Sequence, residues 1–394
     1  MKSGWQLKRL ADVAKVSAGN SAPQDESLFK DGVYPFFRTA DAGRVRFGEI
    51  HKSADYLNDK GIKGLRRYPS GTILFPKSGA STFLNHRVML GVEGFVSSHL
   101  ATIVADTTQI EPRFLLYFLS TVAAQDLIQD HAYPSLSLPT IEGISIQSPP
   151  LHEQKRIVDI LDEAFAVIAT AKVNAEKNLQ NARALFKSHL NAVFSQRSEG
   201  WQTKTIDDVC EVVNGGTPKT GIADYWDGKH QWITPAEMGK RLTPYIGETA
   251  RSLTDLGLAN SSARLLPPFS VILSSRAPIG HLVINTKPMA TNQGCKGLVP
   301  SKAIEHKYLY YYLTSIVDLL NDLGTGATFK EISGGKLKEV KVPICPLPEQ
   351  HLIIKQLDTL SAETQRLESI YQQKLEALGE LKKSLLNQAF TGDL

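Results

Sequence analysis

Gly4-Trp5-Gln6 and Gly200-Trp201-Gln202 stand 196 residues apart, and the same spacing returns far downstream. Pro150-Leu151-His152-Glu153-Gln154 meets Pro346-Leu347-Pro348-Glu349-Gln350 at that offset. Around the first pair Lys8, Asp12, Val13, Val16 and Gly19 recur as Lys204, Asp208, Val209, Val212 and Gly215. Beyond the second, Ile157, Leu161 and Asp162 recur as Ile353, Leu357 and Asp358. Leu185, Lys187, Ser188, Leu190, Asn191 and Phe194 then recur as Leu381, Lys383, Ser384, Leu386, Asn387 and Phe390. These three windows hold 21 identities in 39 ungapped positions, where chance gives roughly two or three. One offset holding across the whole length identifies a tandem duplication.

Each copy has two parts. The first is mixed, with short β-branched or aromatic runs broken by Gly, Pro, Asn and Asp. Gly71-Thr72-Ile73-Leu74-Phe75 and Ser270-Val271-Ile272-Leu273 read as strands. A helix is expected near the end of each, from Phe114 to Ile128 and from Tyr308 to Leu320. The second part is helix-forming throughout. The boundaries are therefore 1–150 and 197–346 for the globular parts and 151–196 and 347–394 for the long helices. The fold class expected is mixed α/β in a tandem, pseudo-twofold arrangement.

The helices carry a 3–4 spacing of apolar residues: Ile157, Leu161, Ala164, Ile168, Ala171, Ala175, Ala182 and Leu185 in the first. In the second it runs Ile353, Leu357, Leu360, Thr364, Leu367, Tyr371, Leu378, Leu381 and Leu385. Sustained over four heptads, this is a coiled-coil seam, with Pro150 and Pro346 suited to the first turn. The connectivity predicts an antiparallel pair, since the second globular part begins where the first helix ends. A helix of about 44 residues spans roughly 66 Å at about 1.5 Å per residue. A coiled coil that only dimerises the protein is the plainer alternative.

At 394 residues, 42% hydrophobic and 21% charged, the chain has the composition of a globular protein. The N-terminus lacks the apolar core of a secretory signal, and no run of 18 apolar residues suggests a membrane helix. Cys210, Cys295 and Cys345 are scattered and odd in number, which fits buried thiols in a reducing cytoplasm. The net charge is +4. Residues 1–150 carry 16 basic and 14 acidic side chains, and residues 200–346 carry 16 and 13, against 12 and 13 elsewhere. The basic excess thus sits in the globular parts, where a phosphate-binding surface needs it.

Reaction centres are not in evidence. Ser148-Pro149-Pro150-Leu151 and Leu266-Pro267-Pro268-Phe269 lack the leading Asn or Asp and the final Tyr of an amino-methyltransferase motif. No GxGxxG opens a helix after a strand, and no GxxxxGK[ST] is present. The ten histidines form no metal-ligand spacing. Asp207-Asp208 reads as helix-start acids rather than a catalytic pair.

Several segments together resemble type I restriction–modification specificity subunits. They are Gly-Trp-x-x-Lys-x-[Leu/Ile]-x-Asp-Val in both copies, Trp232-Ile233-Thr234-Pro235, Gly326-Ala327-Thr328-Phe329-Lys330-Glu331-Ile332, Pro346-Leu347-Pro348-Glu349-Gln350 and the ending Leu385-Leu386-Asn387-Gln388-Ala389-Phe390-Thr391-Gly392-Asp393-Leu394. The first copy departs, with Phe36-Phe37-Arg38-Thr39 and Ala132-Tyr133-Pro134-Ser135 in the corresponding places. The resemblance implies a non-catalytic DNA-binding protein. Two target-recognition domains, joined by the antiparallel coiled-coil helices, would each read one half of a split asymmetric site in double-stranded DNA, and the departures imply unlike halves. With DNA advancing about 34–36 Å per turn, the helical rod is long enough to space two readers on one duplex face.

By the same resemblance two methyltransferase subunits would bind the helical parts and bring S-adenosylmethionine chemistry on adenine. Motor-nuclease subunits would bring ATP and Mg, with no cofactor or metal in this chain. Both a system with those nuclease subunits and one that only methylates fit the sequence. Lys187, Ser188, Asn191, Phe194, Lys383, Ser384, Asn387 and Phe390 are the candidate docking positions, with plain helix packing as the alternative.

Base-reading candidates are long polar side chains on loops beside glycine or proline. They are Arg38, Lys63, Arg66, Arg67, Lys77 and Arg87 in the first copy, and Lys219, Lys240, Arg241, Arg276, Lys296 and Lys330 in the second. Asn292 and Gln293 suit adenine edges. Phosphate contact or plain surface is the competing reading for each, and Trp226, Trp232, Tyr34 and Phe36 read as core. A protein-interaction scaffold without sequence preference, and a stand-alone enzyme with an unrecognised site, are the rival functions.

Overall fold

The computed structural model describes residues 4–128, 134–196, 199–241, 243–326 and 330–394. Ala132-Tyr133 and Ala327-Thr328-Phe329, quoted above, lie outside the described residues. The chain forms two compact units, one of residues 1–175 with 374–394 and the other of residues 176–373.

In the first unit a five-stranded sheet has the order Ala14–Ala18, Leu100–Ala105, Ile73–Pro76, Arg87–Leu90, Phe47–Ile50. Its pairs are antiparallel except for Phe47–Ile50, which runs parallel to Arg87–Leu90. A three-stranded sheet has the order Asp55–Leu57, Tyr34–Phe37, Phe95–Val96. A separate ribbon pairs Gln6–Arg9 with Ser145–Ser148, Gln6 opposite Ser148.

The second unit repeats all three sheets in the same order. Cys210–Asn214, Cys295–Pro300, Val271–Ser275, Ile279–Asn285 and Tyr245–Ile246 form the large sheet. Arg251–Leu253, Trp226–Ile233 and Met289–Thr291 form the small one, and Gln202 pairs with Ile344 in the ribbon.

The central strands explain the core. Ile73-Leu74-Phe75-Pro76 is buried on both faces, as a continuous apolar run requires. Its residues alternate between two clusters. Ile73 and Phe75 join Phe114, Leu115, Ile157 and Leu161, whereas Leu74 joins Phe37, Val88 and Val96. Val271 and Leu273 in the second unit likewise pack with Tyr308, Leu309 and Ile353, while Ile272 packs with Ile233 and Val283.

The duplicated glycines are explained by close approach. A Cβ on Gly19 would stand 2.3 Å from the Ser97 carbonyl oxygen, and one on Gly215 1.9 Å from that of Asn292. Only glycine lets these backbones meet. The cysteines are buried, and burial pushes the Cys210 and Cys295 thiols up to about 12.

The long helices are α1 (Leu151–Ser195) and α2 (Leu347–Thr391). Pro150 and Pro346 stand one residue before them, and their carbonyls accept the first helical N–H groups of Glu153, Gln154, Glu349 and Gln350. Each unit contains the start of one helix and the end of the other. The first unit's core takes Ile157 and Leu161 of α1 with Ala389 of α2, and Arg156 donates to the Leu394 carbonyl at 2.8 Å. The second takes Leu190 and Phe194 of α1 with Ile353 and Leu357 of α2. The two helices are therefore antiparallel within each unit.

Two details of the sequence reading are corrected. The seam does not include Leu185 or Leu381, which are 53% and 48% exposed. The shorter helices are Pro112–Thr121 and His306–Ser315, the latter followed by a separate helix Val317–Leu323. Among the described residues no helix is long and apolar enough to cross a membrane.

Candidate nucleic-acid interface

The joint between helix and globular part is built on one buried carboxamide per unit. Gln154, fully buried, accepts the Glu111 N–H at 2.8 Å and donates to the carbonyls of Gln109 at 3.2 Å and Pro149 at 2.8 Å. Gln350 does the same with the Glu305 N–H at 2.9 Å and the carbonyls of Ala303 at 3.0 Å and Cys345 at 2.8 Å. Tyr117 with Arg113 on Asp162 is matched by Tyr311 with Lys307 on Asp358. Burial and the neighbouring carboxylate both raise the two phenols, so they stay protonated donors. The recurring Glu-Gln of the sequence held this signal, but its part as a clamp was not read from it.

The basic candidates divide by environment. Arg38 follows strand Tyr34–Phe37, pairs through Nε with Asp55 and lies over the rings of Phe29 and Phe36, at 5.6 and 5.2 Å. It borders a cleft of about 460 Å³ with Gln24, Glu26 and Asp55. Lys63, Arg66 and Arg67 are exposed on one loop. Arg66 covers Tyr68 at 5.0 Å and donates to Ser17 Oγ at 3.1 Å, while Arg67 pairs with Glu93 at 2.7 Å. In the second unit Lys219, Lys240 and Arg241 are exposed.

Arg87 is a correction. It is fully buried, its guanidinium 3.5 Å from the Phe75 ring centre and donating to the carbonyls of His86 at 2.8 Å and Val122 at 3.2 Å. It cannot touch DNA from there. Strand register puts Phe75 and Arg87 where the second unit has Leu273 and Leu282, so a cation–π pair replaces two leucines. Lys296 is corrected too, because it lies on strand Cys295–Pro300 with its side chain 8% exposed and 3.8 Å from Glu331.

Five second-unit candidates come together at one rim of the large sheet. Arg276 stands 3.5 Å from Glu331, beside Lys296 and Lys330. The Asn292 carboxamide is used up locally, donating to Thr217 at 2.9 Å and accepting the Gly294 N–H at 2.8 Å, while Gln293 at the turn is exposed. Lys77 occupies the matching rim in the first unit, where Ser78 Oγ and the exposed His99 Nδ1 are 2.8 Å apart. His99 and Ser78 escaped the sequence reading, which sought long polar side chains. Arg251, 3.7 Å over Trp226, escaped it because its strand carries no glycine or proline. Trp226, Trp232 and Phe36 are core, as expected.

The docking candidates also divide. Lys187, Ser188, Asn191, Lys383, Ser384 and Asn387 are exposed on the long helices, with Lys187 paired to Asp318 at 3.0 Å and Lys383 to Glu380 at 2.7 Å. The phenylalanines face inward. Phe194 packs on Tyr308 and Tyr312, both at 5.3 Å, and Phe390 on Phe114 and Phe118 at 5.3 and 5.5 Å. Helix packing accounts for both rings.

The family model described as the type I restriction modification DNA specificity domain matches this chain twice, over residues 2–180 and 198–377. The chain belongs to this family. It is 38% identical over 152 residues to the MjaIX type I specificity subunit of Methanocaldococcus jannaschii, covering 38% of this chain and 35% of that one. It is 27% identical over 264 residues to the Escherichia coli EcoR124I/EcoR124II specificity subunit, covering 64% of each. These matches thus span less than two thirds of either relative. A putative MjaX specificity subunit from the same archaeon is 24% identical over 99% of this chain and 93% of its own. Among solved structures, one described by complex assembly and conformational transition of the type I R-M system superposes with a TM-score of 0.82 at 20% identity. It covers 100% of this chain and 99% of its own, and the likeness establishes a shared fold.

Proposed function

We propose that this chain is the specificity subunit of a type I restriction–modification complex and reads a split, asymmetric DNA site, one unit per half. The carrying observation is the double family match on two units that share one strand order but differ in their exposed polar residues. In this reading phosphate contacts set register and a few base contacts in the major groove set sequence. Two methyltransferase subunits dock on the exposed faces of α1 and α2, and motor-nuclease subunits join them where the system cleaves. S-adenosylmethionine, ATP and Mg belong to those partners, and this chain contributes binding and orientation rather than a chemical step.

The test is adenine-methylation mapping by long-read sequencing in cells carrying this chain with an active partner methyltransferase. A motif with two unlike halves is expected, and exchanging residues 1–150 should change one half only. No motif from an assembled, active complex would overturn the reading and leave a protein scaffold. Matched insertions in α1 and α2 should lengthen the recognised spacer. An unchanged spacer would sink the idea that the helices set it.

A further inference from the structure

The two units can be superimposed residue by residue at the sheet rim, because matching hydrogen bonds fix them in one frame. The Lys77 N–H donates to His99 at 3.0 Å, as the Ser275 N–H does to Gly294 at 2.7 Å. The Leu136 N–H donates to Lys77 at 2.7 Å, as the Ile332 N–H does to Ser275 at 3.0 Å. Ser78 bridges Ser135 just as Arg276 bridges Glu331. Gly79 and Ala277 both take positive φ, 75° and 53°. In this frame Ser78 stands where Arg276 stands, Ser98 where Gln293 stands, and His99 where Gly294 stands.

The backbone bonding of Lys77-Ser78 and Ser275-Arg276 is therefore shared while the side chains at the rim differ. The opposite occurs on the loop before the bridged residues Tyr68 and Leu266. There Arg66 and Arg264 are equivalent, both exposed, each leaning on the strand Ala14–Ala18 or Cys210–Asn214 through Ser17 at 3.1 Å or Glu211 at 3.4 Å. Phosphates are alike along any sequence, so two readers have no reason to differ in touching them. Base edges differ, so readers of unlike halves must.

Resting on the function proposed above, we infer that Arg276 and Gln293 in the second unit, and Ser78 and His99 in the first, are the specificity-determining residues. Arg66 and Arg264 make sequence-independent phosphate contacts. Glu331 holds Arg276 by a salt bridge at the rim, so the guanidinium meets the groove already oriented. Its two parallel N–H groups suit guanine O6 and N7. Asn292, with both ends of its amide occupied, positions the turn.

The experiment uses the full chain assembled with its methyltransferase partner, against a DNA library degenerate in both halves. Arg276→Ala and Gln293→Ala should each relax a position in the second half, by roughly ten- to a hundredfold in discrimination, and leave the first half intact. Ser78→Ala with His99→Ala should do the reverse. Arg66→Ala and Arg264→Ala should weaken all sequences alike and each reduce the salt slope by about one. Gln293 is exposed at a turn tip, so its variant tests reading even if Arg276→Ala unfolds. A parent chain reading a split motif, with Gln293→Ala and Ser78→Ala/His99→Ala leaving it unchanged, overturns this assignment alone. A parent chain reading no motif overturns the function beneath it.

Discussion

The carboxamide of Gln154 accepts the backbone N–H of Glu111 at 2.8 Å, tying the first turn of α1 to the start of the helix Pro112–Thr121. Gln350 ties α2 to Glu305 at 2.9 Å. Each side chain also donates to one buried and one part-buried backbone carbonyl. Gln154→Leu and Gln350→Leu should each lose roughly 2–4 kcal/mol, because buried and part-buried backbone groups lose their partner together. Urea unfolding followed by a tryptophan probe would show it. A loss under about half a kcal/mol would mean water replaces the amide.

Asp12 and Asp208 accept the N–H groups of Arg9 at 2.8 Å and Thr205 at 2.7 Å, three residues back. Those backbone bonds are the main cause holding both carboxyls below the usual range. A carboxyl depressed by folding stabilises above its unfolded pKa, about 3.9, and that contribution disappears as pH falls through the lower folded value. Asp12→Asn/Asp208→Asn should therefore flatten the acid side of the stability–pH curve and leave its slope above pH 6 unchanged.

Gly19→Ala and Gly215→Ala force a methyl onto a carbonyl oxygen of the neighbouring strand end. Each should lower stability by roughly 1–3 kcal/mol through overpacking. Gly215→Ala should also disturb reading of the second half-site, because the atom it strikes belongs to Asn292. Thermal melts and methylation mapping on the same samples would separate the two effects.

Arg87→Leu sets against Phe75 the leucine that the other unit carries at Leu282 and should stay within about 2 kcal/mol of the parent. Arg87→Ala leaves a cavity beside Phe75 and should lose roughly 2–5 kcal/mol. Neither should alter the salt dependence of DNA binding. A reduced salt slope in Arg87→Leu would contradict the buried position.

The duplication, the sheet-forming runs and both long helices were legible because each leaves a periodic or repeated pattern in one dimension. Both long helices begin at the expected residues, and α1 ends one residue and α2 three residues before the expected bounds. Leu185 and Leu381 were misread because a 3–4 spacing names a helical face but not what covers it. Arg87 was misread for a related reason: beside Asn85 and His86 it looks like surface, and only the fold reveals Phe75 beneath it. The Ser78–His99 pair joins residues 21 positions apart in sequence, so no local pattern could announce it.

The ribbon of Gln6–Arg9 and Ser145–Ser148, with its counterpart Gln202–Thr205 and Lys341–Ile344, gives each globular part a single doorway through which the chain both enters and leaves. A gene exchange whose two crossovers fall in those strands replaces everything beyond the doorway and leaves the helices outside it as they were. On the proposed function, one such event would give the protein a new address in DNA and leave unchanged the helices offered to its partners.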